Sequence, residues 1–326
     1  MILAGDIGGT KTNIALFSPK DIYRPKSLAT YKSRENPSLE TIIADYLNKH
    51  PEKIDRACFG IAGPIINNRC EATNLPWVID AKVLSKKIKG KPVWLLNDLE
   101  SNAWGIQVLK KSDFHVLHDG DAKARGNRCV IAAGTGLGEA VMFWDGKSYH
   151  AFGIEGGHCD LAARGELEIE LVKFLLDKWP AHVSCERVLS GPGFKNVYDF
   201  LKSTGRFGQE PAWLAEEIRQ GDPSAAITRA GLAKKSDLCV KTLDVFVTMY
   251  GAEASNLALK AMSTGGIFIG GGIAPKIIDK LRDGVFMQAF FAKGRFQNLL
   301  KKIPVKVILN DKTALLGAAY FAATRK

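Results

Sequence analysis

The sequence contains one local unit twice. Near the N-terminus, Ile2-Leu3-Ala4 runs into Gly5-Asp6-Ile7-Gly8-Gly9-Thr10-Lys11-Thr12 and leaves through Ile14-Ala15-Leu16-Phe17. Farther on, Cys129-Val130-Ile131-Ala132-Ala133 runs into Gly134-Thr135-Gly136-Leu137-Gly138. It leaves through Glu139 to Trp144 and closes at Asp145-Gly146. Each copy reads as strand, glycine-rich turn, strand. Adjacent glycines such as Gly8 and Gly9 can take φ > 0 and lack a Cβ, so another group can approach the backbone closely. Successive N–H groups in such a turn form a concavity for anions. Thr10 adds a hydroxyl, Lys11 a positive charge, and Asp6 a carboxylate able to orient water on a divalent cation. One copy alone also fits an ordinary hairpin. The repeat is the stronger signal: two α/β halves, each with a phosphate turn, imply a nucleotide gripped in the cleft between them.

The chain around these units alternates strands and helices, as an α/β protein does. A third strand is predicted near Ser27 to Tyr31. Pro37-Ser38-Leu39-Glu40 opens a helix to about Asn48, with Leu39, Ile42, Ile43, Tyr46 and Leu47 at helical spacing. Arg56 to Ala62 reads as a buried strand stopped by Gly63-Pro64, and Asn74 to Trp77 as a loop. Ala81 to Ile88 reads as a helix. Pro92 to Leu96 is a second buried strand, stopped by Asn97-Asp98, and Leu99 to Leu109 a helix. Helices are predicted over Glu166 to Lys178, Phe194 to Leu201, and a long one from about Asp222 or later to Ala261. At Gly265 to Ile273 an apolar strand lies between glycine clusters, where bare backbone admits a large flat group. Val305 to Leu309 is a late strand. Asp311 is placed to N-cap a last helix whose alanines and Gly317 allow close packing. No flexible linker is visible. The expected division is a small α/β domain of residues 1–110 plus 312–326 and a large α/β domain of residues 111–311.

Composition narrows the function. The 326 residues carry a formal net charge of +11, but the lysines are dispersed. The densest cluster, Lys82 to Lys91, reads as a solvated helix face. No nucleic-acid partner is expected, and a diffuse positive field suits a polyanionic nucleotide. The apolar runs Gly265 to Ala274 and Leu315 to Ala323 fall short of the roughly 20 residues that span a membrane. The N-terminus meets Asp6 without a basic segment, so no signal peptide is expected. Cys58, Cys70, Cys129, Cys159, Cys185 and Cys239 are scattered without C-x-x-C pairs. They read as reduced thiols of a cytosolic protein.

Several stretches then read together: GDIGGT at 5–10, Leu96-Asn97-Asp98-Leu99, AGTGLG at 133–138, Glu155-Gly156-Gly157-His158, Glu186 to Gly193 (ERVLSGPG), and GGIFIGGGI at 265–273. In this order they resemble the bacterial glucokinase family, the branch that includes the enterobacterial enzyme. Lys293-Gly294-Arg295-Phe296 and Leu315-Leu316-Gly317 also look like the family. The resemblance implies a two-domain actin-like ATPase (ribonuclease H-like) fold with a cleft between the lobes. Two departures stand out. Lys11 replaces the Asn of the enterobacterial pattern, as in the related sugar-kinase and repressor group. That group's cysteine-rich zinc motif is absent, since EGGH is followed by Cys159-Asp160.

The resemblance implies a catalytic base at Asp98. Phosphorylating a sugar hydroxyl needs a group that orients the O–H and accepts its proton, and the transition state is loose, so the proton can leave late. A helix N-terminus should keep the carboxylate ionised, with a pKa of about 4. The alternative is that Asp98 only N-caps its helix. A pyranose needs carboxylates that accept from its hydroxyls, plus amides and imidazole. The resemblance implies Asn74, Asn97, Asp98, Glu155, His158 and Glu186, with Glu186 and Asn74 least securely tied. A metal site at Glu155 and His158, or a glycosidase pair at Glu155 and Glu186, finds no further support. On the nucleotide side, Gly8, Gly9 and Thr10 should meet the distal phosphates of ATP from one lobe. Gly134, Thr135 and Gly136 should meet them from the other, and Gly271 and Gly272 should lie near the adenosine. Mg²⁺ would bridge the phosphates, with Asp6 touching it through water. The expectation is a cytosolic, homodimeric, ATP-dependent glucokinase making glucose 6-phosphate. The rivals are a broader hexose kinase, a different phosphoryl donor, or a catalytically idle sugar sensor.

Overall fold

The computed structural model describes residues 1–121 and 123–325. Ala122 and Lys326, which the expected division 111–311 and 312–326 includes, lie outside the described residues. The first half begins with β1 (Ile2–Ile7), β2 (Lys11–Ser18) and β3 (Asp21–Lys32). The third strand is therefore longer than its sequence signal. Its outer position leaves most of its side chains exposed, so its apolar pattern is weak. α1 (Leu39–Lys49) starts at Ser38, whose hydroxyl accepts from the Thr41 N–H. β4 (Arg56–Ile61) leads to the small strands β5 (Ile65–Ile66), β6 (Arg69–Glu71) and β7 (Val78–Asp80). Then follow α2 (Ala81–Lys87), β8 (Val93–Asn97) and α3 (Asp98–Ile106).

The second half contains β9 (Phe114–His118), β10 (Arg128–Ala133), β11 (Leu137–Trp144) and β12 (Tyr149–Ile154). A helical stretch follows: α4 (Glu166–Leu176), α5 (Gly191–Thr204), α6 (Ala212–Gln220), α7 (Pro223–Leu232) and α8 (Asp237–Lys260). The long helix expected from about Asp222 or later to Ala261 takes the later start, as α8, and a separate helix, α7, occupies the stretch after Asp222. Asp222 caps α7, Lys234 takes a left-handed φ of 53°, and Ser236 caps α8. β13 (Gly266–Gly270), α9 (Ile278–Arg282), α10 (Val285–Phe291), α11 (Gln297–Leu300), β14 (Val305–Ile308) and α12 (Thr313–Thr324) complete the chain. Asp311 does not cap α12. Asn310 accepts from the Lys312 N–H there, and the residue before the helix, Lys312, makes no side-chain cap.

Among the described residues the two main sheets repeat one plan. One has the order β3-β2-β1-β4-β8 and the other β12-β11-β10-β13-β14, with β9 added at the edge. In both, the first three strands are antiparallel and the next two join in parallel. The duplicated hairpin therefore belongs to a duplicated sheet. β1 and β10 are central and buried on both faces, which explains their continuous apolar runs.

α3 lies between the sheets. Trp104 packs with Ile2, Phe17 and Leu315 on the first side, while Ala103 and Ile106 pack with Val130, Met142 and Phe268 on the second. α12 presses on α3: the Ser101 hydroxyl donates to the Ala314 carbonyl at 2.8 Å. A Cβ on Gly317 would stand 1.7 Å from the Ser101 carbonyl oxygen, so this approach requires glycine. α3 therefore joins both halves and carries the residue at its N-terminus into the space between them.

Candidate active site

β8 ends at Asn97. Its Oδ1 accepts from the N–H groups of Leu99 (2.9 Å) and Glu100 (3.3 Å), and its Nδ2 donates to the Gly63 carbonyl at 3.2 Å. Asn97, not Asp98, caps α3. Asp98 is the first residue of the helix, and its Oδ1 accepts from the Leu99 N–H at 2.9 Å. Burial pushes the Asp98 carboxyl up to about 6, although the backbone N–H groups at the helix start pull it down. The negative charge of Glu155 adds to the rise. The ordinary value expected from the helix terminus is thus corrected: desolvation outweighs the dipole. Asp6, at the end of β1, is also pushed up to about 6, first by burial and then by the charge of Asp98.

The segment carrying Glu155 and His158 is a single 3₁₀ turn after β12. Both side chains are exposed, and His158 Nε2 lies 4.0 Å from Glu155 Oε2. Glu186 comes from a second 3₁₀ turn, Cys185–Arg187. Its Oε2 accepts from the Leu137 N–H at 2.8 Å, and a Cβ on Gly136 would stand 2.3 Å from that oxygen. Glu186 therefore rests on the second glycine turn. Asn74 sits in its loop over Gly9, whose own Cβ would stand 2.7 Å from that of Asn74.

The glycines of the first turn serve close approach rather than unusual dihedrals: neither Gly8 nor Gly9 has a positive φ. The turn closes on itself through Gly8 N–H to the Lys11 carbonyl (3.0 Å) and is tied to Ser33, whose hydroxyl donates to the Gly8 carbonyl at 2.7 Å. The second turn is shorter than its sequence signal, because Leu137 and Gly138 already pair with Ala133 and Ala132. Gly271 is left-handed (φ 80°) and lies against the Ala133 carbonyl, where a Cβ would stand 2.2 Å away.

A cavity of about 920 Å³ lies between the halves. Its wall brings together Asp6, Asn74, Asn97 and Asp98 from the first half, and Glu155, His158 and Glu186 from the second. Gly134, Thr135, Gly136, Gly271 and Gly272 line it as well. Gly8, Gly9 and Thr10 do not: the turn is tied to Ser33 and Gly9 lies against Asn74, while Thr10 is exposed. Lys11 is exposed. The lining carries six carboxyl side chains, Asp6, Asp98, Glu139, Glu155, Glu186 and Asp311, against one lysine, Lys276. The positive net charge of the chain is therefore not the charge of its cavity.

The sequence reading missed Glu139, Lys276, Asn310 and Asp311 as lining residues. Glu139 is 2 % exposed, and its Oε1 has no hydrogen-bond partner among the described residues. Burial, then the charge of Glu253, raises its carboxyl to about 7. A glutamate breaking the apolar run of β11 was its one visible signal.

The family model for glucokinase matches residues 3–325. The chain belongs to the glucokinase family. A glucokinase of Nostoc punctiforme is 40% identical, covering 99% of each chain. A glucokinase of Shigella dysenteriae is 34% identical over 97% of this chain and 95% of its own. The enterobacterial resemblance stands, with cyanobacterial glucokinases more similar still. The crystal structure of a glucokinase from an Antarctic psychrotroph superposes with a TM-score of 0.86 at 29% identity, covering 99% of each chain. The fold is thus the actin-like ATPase fold of glucokinases, and the paired sheets are its two related halves. The chain is an enzyme of this kinase family.

Proposed function

We propose that this chain transfers the γ-phosphoryl group of ATP to the 6-hydroxyl of D-glucose. The observation carrying this reading is the Asp98 carboxyl, projected into one cavity with the second glycine turn and the Glu155–His158 segment. Asn74, Asn97, Glu155, His158 and Glu186 hold the sugar through its hydroxyls. Asp98 accepts the hydrogen of the 6-hydroxyl and aims its oxygen at the γ-phosphorus. A carboxyl at about 6 is about nine-tenths ionised at pH 7 and accepts a proton more readily than an ordinary aspartate. In a loose transition state this orientation carries much of the effect. Gly134, Thr135 and Gly136 take the phosphates from one side, with Gly8, Gly9 and Thr10 approaching from the other as the halves close and exclude water. Gly271 and Gly272 leave room for the adenosine.

A carboxylate-lined wall fits a triphosphate only with a cation between them, and the raised Asp6 and Asp98 carboxyls are what a nearby cation relieves. Mg²⁺ held near Asp6 supplies that charge neutralisation. The proposal includes the division into residues 1–110 plus 312–326 and residues 111–311, supported by the packing of α12 on α3 and the first sheet. Among the described residues no helix is long and apolar enough to cross a membrane. A cytosolic homodimer is the setting that the family resemblance supports.

The test is purified protein with Mg-ATP and a panel of hexoses. Glucose is expected to give the highest kcat/KM, with glucose 6-phosphate as product. A faster mannose or fructose reaction would favour a broader hexose kinase. Absence of sugar-dependent ADP release with every hexose would sink the kinase reading.

A further inference from the structure

We propose that His182 is a positioning residue for the sugar-binding turn, an inference that rests on the glucose-kinase reading. Glu155 and His158 are 67% and 61% exposed, so little packing of their own fixes them, and the backbone beneath must do so. That backbone is stitched to the segment that leads into Glu186. The Leu161 N–H donates to the Val183 carbonyl at 2.9 Å, and the Cys185 N–H to the Cys159 carbonyl at 3.0 Å. His182 precedes Val183 in this seam, and its ring reaches back along it to the turn that carries His158. Its Nε2 lies 2.8 Å from the His158 carbonyl oxygen and its Nδ1 2.7 Å from Asp160 Oδ1.

The His158 carbonyl oxygen can only accept, so the ring nitrogen facing it is the donor of that bond. The imidazole thus holds the carbonyl of a sugar-binding residue and is itself aimed by a carboxylate two residues farther on. A carboxylate partner strengthens such a bond. Together with the two backbone bonds, this side chain registers the turn bearing Glu155 and His158 against the turn bearing Glu186. His182 touches no substrate. Its effect is on where His158 and Glu155 stand.

His182→Ala, assayed in the full chain, is expected to raise the glucose KM about tenfold, the size expected for a lost charge-assisted bond. The ATP KM should stay unchanged and kcat should stay within about threefold. His182→Gln, whose amide can still donate to the His158 carbonyl, should restore most of the glucose affinity. His182→Asn, too short to reach that carbonyl, should behave as the alanine variant, and serves in its place if that variant does not fold. Glucose turnover by the unaltered chain with an unchanged glucose KM in His182→Ala overturns the inference alone. An equal rise in the ATP KM, or no recovery in His182→Gln, also overturns it. No glucose turnover by the unaltered chain defeats the kinase reading, and this inference with it.

Discussion

The negative charge of Asp98 falls on Asp6, whose carboxyl burial and that charge together hold at about 6. Two acids, one near the end of β1 and one at the start of α3, thus share a cavity wall, and each is easier to protonate than an ordinary aspartate. Placing them together makes proton transfer from a sugar hydroxyl easier and leaves a deficit of positive charge for a cation to fill.

Glucose phosphorylation is therefore expected to fall as pH drops through about 6, because a proton on Asp98 removes the acceptor. Asp98→Asn should lower kcat by about 10²–10⁴-fold, with glucose binding weakened far less. A kcat/KM profile that is flat from pH 5 to 8, or near-normal turnover in the variant, would remove Asp98 as the base. The sign for stability is opposite. The folded value lies above the unfolded value of 3.8, so stability present at low pH is lost as pH rises through about 6. Asp98→Asn should therefore melt higher than the unaltered chain at pH 7.5.

Glu139 makes the same argument without catalysis. Its carboxyl rises from 4.5 to about 7 on folding. That burial costs the fold on the order of 3 kcal/mol at pH 8 and almost nothing near pH 4. The loss runs from about the unfolded value to the folded one. Glu139→Gln keeps the shape and removes the charge, so its melting temperature should exceed that of the unaltered chain by several degrees at pH 8 and match it near pH 4. Equal melting at both pH values would show that the carboxyl finds a partner.

The approach of α12 to α3 predicts a packing defect. Gly317→Ala puts a methyl group 1.7 Å from the Ser101 carbonyl oxygen. The gain in helix propensity, about 1 kcal/mol, is outweighed by overpacking against backbone, about 1–3 kcal/mol or more. Thermal unfolding should show a net loss, with kcat reduced because α3 carries Asp98. An unchanged melting temperature would mean that the helices part without cost.

Much of this was legible before the fold. Strand ends at Ile61 and Ala133 follow apolar runs and glycine stops, and the end at Asn97 follows an apolar run stopped by Asn97-Asp98, which are local signals. The repeat predicted two related halves, and the sheets have the same strand order. The cavity's distant members were less legible. Asp98 could be read as a helix cap, but Asn97 takes the cap position, accepting from the Leu99 and Glu100 N–H groups, while the Asp98 carboxyl lines the cavity. The first glycine turn looked like a cavity wall, yet Ser33 and Asn74, both remote in sequence, hold and cover it.

The sequence by itself determined the glycine turns, the alternation of strands and helices, the order of the family's stretches and the presence of an aspartate at the start of α3. These depend on backbone freedom and apolar spacing, which act over a few residues. Tertiary structure alone decided that Glu186 rests on Gly136, 50 positions earlier, that Glu139 is buried without a partner, and that Asp6 and Asp98 are raised together. Those properties arise from desolvation and from charges brought close through space, and neither exists until the two halves are packed around α3.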